Sequence, residues 1–233
     1  MKNKLIALVV LAAGLLAVGV IRTASKIQTR DIPIKDRLNW YVKEAQTEGR
    51  QKINIPAPTV EYLGGAGTIS LDEASSSSTV VVAHLISKQS YAGSDDVITW
   101  NRFIIDEVLS EAKDLPCPAC VPPDPPADLA PLQLGEFLLP KNGGTVNVEG
   151  IEIEQRDHNF PEFKQNQKYL LLINLYPSGV ARTVGGPVGV FIIEQNDRVL
   201  PITESEHRIR KDLKEKYANS LDGFRKHLRN RNR

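Results

Sequence analysis

Cys117 and Cys120 are the two cysteines of the chain, and "CPAC" has the spacing of a dithiol redox motif. Such a motif draws its reactive thiolate from a helix N-terminus, whose dipole favours the negative sulfur. Prolines at 122, 123, 125 and 126 rule out a helix running on from Cys120. Covalent haem attachment needs a histidine directly after the second cysteine, and this chain has Val121. Zinc takes four ligands, and the sequence has neither a second cysteine pair nor two closely spaced histidines. A small loop disulfide or idle thiols is the favoured reading. A metal site completed by distant residues and thiol exchange stay open as alternatives, and no cofactor is expected.

Other chemistry-bearing residues are scattered. His84 sits inside a Val-rich run, His158 lies in the loop-like "RDHNF" beside Arg156 and Asp157, and His207 and His227 belong to a basic tail. The chain contains no G-x-S-x-G, H-E-x-x-H or phosphate-cradling G-x-x-x-x-G-K-[ST]. "GGPVG" (Gly185–Gly189) precedes no helical pattern and reads as a turn, and Asp95–Asp96 also falls in turn chemistry. These absences favour a protein that is not an enzyme, and the sequence names no activity.

The elements that must position these residues are mainly strands. "TVVVAHLISKQSY" (Thr79–Tyr91) and "VITWNRFIIDEVL" (Val97–Leu109) are β-branched runs joined by "AGSDD", a hairpin signal. In the second run Val97, Thr99, Asn101 and Phe103 alternate against Ile98, Trp100, Arg102 and Ile104. "LQLGEFLL", "TVNVEGIEIEQ", "KYLLLINLY", "GVARTV" and "VGVFIIE" follow at short spacing, a sandwich or small-barrel pattern without intervening helices. Before them, "KDRLNWYVKEAQTEG" (Lys35–Gly49) places Leu38, Tyr41, Val42 and Ala45 on one helical face, "INIPAP" is extended, and "SLDEASSSS" (Ser70–Ser78) reads as a Ser-capped single helical turn.

Charge divides the chain. From Arg22 to Glu206 there are 17 Lys/Arg against 25 Asp/Glu, and from His207 to Arg233 there are 10 against 3. In the tail Ile209, Leu213, Tyr217, Leu221, Phe224 and Leu228 form one apolar stripe on a basic helix. It can pack on the body or lie on an anionic membrane surface. At the other end "MKNK" precedes an uncharged run, Leu5–Ile21, that as a helix is roughly 25 Å long. This fits a secretory signal or an uncleaved membrane anchor, so nucleic acid is not an expected partner.

The segments "STVVVAHLISKQSY", "ITWNRFIIDEVL", "GGTVNVEGIEIE", "FPEFKQNQKYLLLINL" and "GGPVGVFII" together resemble the small exported OB-like β-barrel domains common in bacteria. The likeness runs from about Ser70 to Ile193. It departs at Asn166, where the family shows glycine, and at the cysteine insert. What the resemblance implies is a fold and an extracytoplasmic address, with no catalytic residues to carry over.

The expectation is therefore a mainly β protein, a small antiparallel OB-like barrel or sandwich with an N-terminal helix and a C-terminal amphipathic helix. Residues 1–24 are the signal peptide or anchor, 25–69 a spacer with one helix, 70–202 the barrel with a Cys/Pro-rich insert at 110–131, and 203–233 the basic helix. The expected function is a non-catalytic exported or membrane-tethered binding module of the cell envelope, for a protein or small-molecule ligand. Its binding surface is placed at Tyr91, Trp100, Arg102, His158, Phe160 and Phe163. The alternative is a thiol-redox or metal-binding envelope protein using Cys117 and Cys120.

Overall fold

A computed structural model describes residues 37–57, 69–112, 122–203 and 207–231. The signal or anchor at 1–24 and both cysteines lie outside the described residues. None of the described helices is long and apolar enough to cross a membrane, so the membrane expectation has no helix to carry it among them.

Helix α1 (Arg37–Thr47) is followed by β1 (Lys52–Pro56), α2 (Leu71–Ser76) and the long hairpin β2 (Thr79–Ala92) and β3 (Val97–Ser110). Then come β4 (Glu136–Asn142), β5 (Gly144–Val148), β6 (Ile151–Arg156), β7 (Lys168–Leu175), β8 (Ala181–Thr183), β9 (Val190–Ile193), β10 (Val199–Pro201), α3 (Arg208–Tyr217) and α4 (Leu221–Arg231).

Seven strands form an open antiparallel sheet in the order β10-β9-β7-β2-β3-β4, with β8 on β7. A second sheet, β1-β6-β5, joins β1 parallel to β6 and β5 antiparallel to it. This overturns the expected OB-like barrel. Closure would need a ladder between β4 and β8, but β8 is three residues long and its ladder is with β7. A single isolated bridge, Leu138 with Val180, spans that gap. The "GGTVNVEGIEIE" segment, expected as barrel wall, leaves the first sheet at Gly143 and Gly144, whose φ of 91° and 142° suit glycine alone. It then builds the second sheet with β1.

The first sheet is buried on both faces, which is why β2 and β7 read as unbroken apolar runs rather than alternating ones. Val80, Val82, Leu170 and Leu172 face a core shared with Leu71 and Ala74 of α2 and with Ile209, Leu213, Leu221, Phe224 and Leu228. Val81, Ala83, Leu85, Tyr169, Leu171 and Ile173 face the other core, with Phe103, Phe137, Phe160 and Phe163. Helix α1 lays Leu38, Val42 and Ala45 on Ile53, Ile55, Ile151 and Ile153 of the second sheet.

The helices also differ from expectation, which had one at each end and only a single Ser-capped helical turn between them. Ser70 and Glu73 make a capping box that secures α2, a short helix in the middle of the chain. The single C-terminal helix is instead two, broken where Ala218 and Asn219 adopt φ of 50° and 58°. The apolar stripe survives the break, because both helices pack on the body.

Candidate functional site

The alternation read in β3 holds, and its two faces have different fates. Trp100 is buried with Leu138, Val180, Tyr91, Leu129 and Leu132. Arg102 donates to Glu136 and to the carbonyl of Pro131, both at 3.0 Å, and also to the Ala130 carbonyl. The second half of the proline-rich insert is thus strapped across this face. Desolvation, then the Asp128 carboxylate, raises the pKa of the Tyr91 hydroxyl beneath it. Tyr91, Trp100 and Arg102 consequently sit beneath and against the second half of the insert.

The loop residues also divide. Phe160 and Phe163 are core side chains, with rings 5.5 Å apart at 68°, and Phe163 meets Phe103 edge-on at 5.0 Å. His158 is exposed and lines a pocket of about 470 Å³ with Asn54, Pro56, Arg156 and Asn159. The Arg156 guanidinium there is largely exposed and paired with Glu154 at 2.5 Å. The six expected residues therefore fall in three separate places.

The opposite face of β3 forms a different pocket, of about 460 Å³. Across β2, β3 and β4 the register sets three rows. Leu85, Phe103 and Phe137 are aligned, then Lys88, Asn101 and Leu139, then Ser90, Thr99 and Lys141. The first row closes the aromatic core, and the next two turn polar.

An irregularity in β2 produces this. Val81, Ala83 and Leu85 point inward, and strict alternation would continue with Ser87 and Gln89. The register slips between Leu85 and Ser87, so Lys88 and Ser90 face Asn101 and Thr99 instead. Asn166, at φ 61°, donates its N–H to the Leu85 carbonyl, and Gln165 donates to Ile86, bracing the bulge.

Lys141 is 7% exposed and lines this pocket. Its Nζ donates to the Asn142 carbonyl at 3.2 Å and stands 5.8 Å from the Phe160 ring. No carboxylate of the described residues is within ion-pairing distance of it. Glu162 is committed to Lys88 at 2.6 Å, and Asp157 accepts from the N–H groups of Asn159 and Phe160. Burial pushes the Lys141 pKa down, opposed at longer range by Asp157 and Glu162 and reinforced by Lys88. The site is a buried lysine in the wall of a polar, open space.

The pocket's hydroxyls have a fixed sense. Thr99 Oγ1 donates to the Gly143 carbonyl at 2.5 Å, so the 2.8 Å bond between Ser90 and Thr99 must have Ser90 as donor. Asn101 Nδ2 donates to the carbonyls of Thr99 and Leu139. The remaining capacity of the Ser90 hydroxyl is to accept.

Sequence reasoning passed over this site although a signal was present. Thr99 and Asn101 share a strand face with Val97 and Phe103, and Lys141 follows Phe137 and Leu139 at period two. Polar residues at three inward positions mark a site or a satisfied polar core. Among the described residues no group of three or more His, Cys, Asp or Glu side chains could hold a metal ion.

Comparison of the chain with protein-family models finds no match, and comparison with curated proteins finds none either.

Proposed function

We propose that the protein is a non-catalytic binding module acting outside the cytoplasm, and that it holds a small polar ligand in the pocket around Lys141. The observation that carries this reading is the Lys141 ammonium, buried without a carboxylate partner at the side of an open cavity. Burying an unpaired charge costs several kcal/mol, on the order of the free energy a ligand's counter-charge would return. The pocket volume lies within the range of small-molecule sites, about 300–1,000 Å³. Export is supported by the apolar run Leu5–Ile21 behind Lys2 and Lys4.

A screen of polar fragments, followed by amide chemical shifts of the full chain, tests the site. Hits that converge on Ser90, Thr99, Asn101 and Gly143–Thr145 support it. A screen whose hits map elsewhere, or that gives none, removes it. A reporter fused after Arg233 and assayed in intact and lysed cells tests export, and activity confined to the cytoplasm would contradict it.

A further inference from the structure

The charge and hydrogen-bond sense of the pocket restrict what it can hold. Three ionised side chains line it: Lys88 and Lys141 as cations and Glu162 as an anion. Lys88 and Glu162 neutralise each other at 2.6 Å, which leaves one positive charge, on Lys141. A single negative charge balances that, whereas a dianion leaves an excess charge beside the buried end of Lys141.

The donor set also argues against phosphate. Among the described residues no arginine and no helix N-terminus lines the cavity, the groups that usually bind phosphate through several convergent N–H donors. The Gly143 N–H is already spent on the Val97 carbonyl at 2.7 Å. On the neutral side, Ser90 donates to Thr99 and Thr99 to Gly143, so Ser90 Oγ meets a ligand as an acceptor. A ligand suited to these atoms carries one carboxylate and, beside it, hydroxyl groups that donate.

We infer that the pocket takes a small hydroxylated monocarboxylate, its carboxylate on Lys141 Nζ and a hydroxyl donating to Ser90 Oγ. The inference rests on the reading of this pocket as the binding site. It also explains why an ammonium occupies the inward position of β4 after Phe137 and Leu139. Without ligand, the lysine opposes folding at neutral pH, because burial lowers its pKa and the unfolded chain holds the proton more readily.

The experiment compares matched probes on the full chain by amide shifts and titration: gluconate against glucose, glycolate against glycolamide, and inorganic phosphate. Gluconate is expected to shift Ser90, Thr99, Asn101 and Gly143–Thr145 saturably and to bind at least tenfold more tightly than glucose. K141M should lose that tenfold preference while melting at a higher temperature than the parent chain. S90A should weaken gluconate without touching glycolate's preference over glycolamide. Equal response to acids and their neutral counterparts, or tighter binding of phosphate, overturns the carboxylate assignment. A K141M chain that melts lower overturns it too, since the lysine would then be a structural tie. If fragments from the wider screen still converge on the pocket while every carboxylate fails, the ligand class is wrong and the site stands. If both fail, the site itself is lost.

Discussion

The Arg225 guanidinium on α4 grips the Glu107 carboxylate on β3 through two bonds, Nε at 3.0 Å and the second nitrogen at 2.8 Å. Arg229 approaches the same carboxylate at 3.7 Å. The uneven charge of the chain therefore has an internal cause. Much of the basic tail is matched to the acidic body, with Lys216, His227 and Arg231 gathered on Asp72 and its turn.

Bidentate, partly buried pairs of this kind exceed exposed ion pairs in worth. R225A is expected to destabilise the protein by about 1–2 kcal/mol, and E107Q by about 1 kcal/mol, with a coupling in the double mutant. Urea denaturation reads all three. Additive effects would mean that the two side chains act independently.

The docked tail should respond to acid through Asp72. Burial alone would raise its carboxyl pKa, but Lys216, and then His227, outweigh it and hold it below the usual carboxylate range. A depressed carboxylate contributes stability that is present above its unfolded value, about 3.9, and lost as pH falls through the folded value. Asp72 should therefore contribute in full, and without pH dependence, at neutral pH, and its contribution should decline below about pH 4. D72N should flatten part of that decline, although Glu73, Glu154, Glu162 and Asp222 are depressed as well and keep the rest. Melting temperatures between pH 7 and pH 2.5 provide the check.

The β2–β3 hairpin, α1, the capped α2 and the tail's apolar stripe were legible because each rests on local periodicity or capping chemistry. The sheet architecture was not, because it is decided by non-local pairing. Nothing in "KINIP" says that Ile53 will lie parallel to Ile153, a hundred residues away. The surroundings of the residues placed on the binding face were hidden for a related reason. Trp100 and Arg102 look like an exposed aromatic and a free cation until the insert is folded across them. The slip after Leu85 defeats any reading of β2 by strict alternation, so the placement of Lys88 and Ser90 on the pocket side is visible only in the register.

Gln155 should prove to be the joint between the two sheets. Its side chain is 2% exposed, accepts from the Val97 N–H at 2.7 Å and donates to the Pro56 carbonyl at 3.0 Å. It thus ties β6 to the start of β3 and to the end of β1. Q155L preserves the volume but strips both backbone groups of their side-chain partner, at about 1–3 kcal/mol for each group left buried and unmet. The expected result is a loss of about 2–4 kcal/mol in denaturant unfolding, with faster amide exchange at Val97. A loss under 0.5 kcal/mol would show that the sheets are held by their apolar contacts alone.

Gly144 offers a test that joins fold to pocket. Its φ of 142° is strained for any residue with a side chain, and an added Cβ would run into both Thr99 Oγ1 and Ser90 Oγ. Those two hydroxyls are linked to each other and to the Gly143 carbonyl, so neither can withdraw without breaking a bond that orders the pocket. G144A should cost about 2–3 kcal/mol from backbone strain and crowding together. It should also abolish small-ligand shifts at Ser90 and Thr99. G150A places its methyl in open space at a φ of 83°, in a turn far along the same strand pair, and controls for strain alone. A G144A chain that loses stability yet keeps the pocket's ligand response would separate the chain crossing from the site, and show that the crossing serves only to start the second sheet.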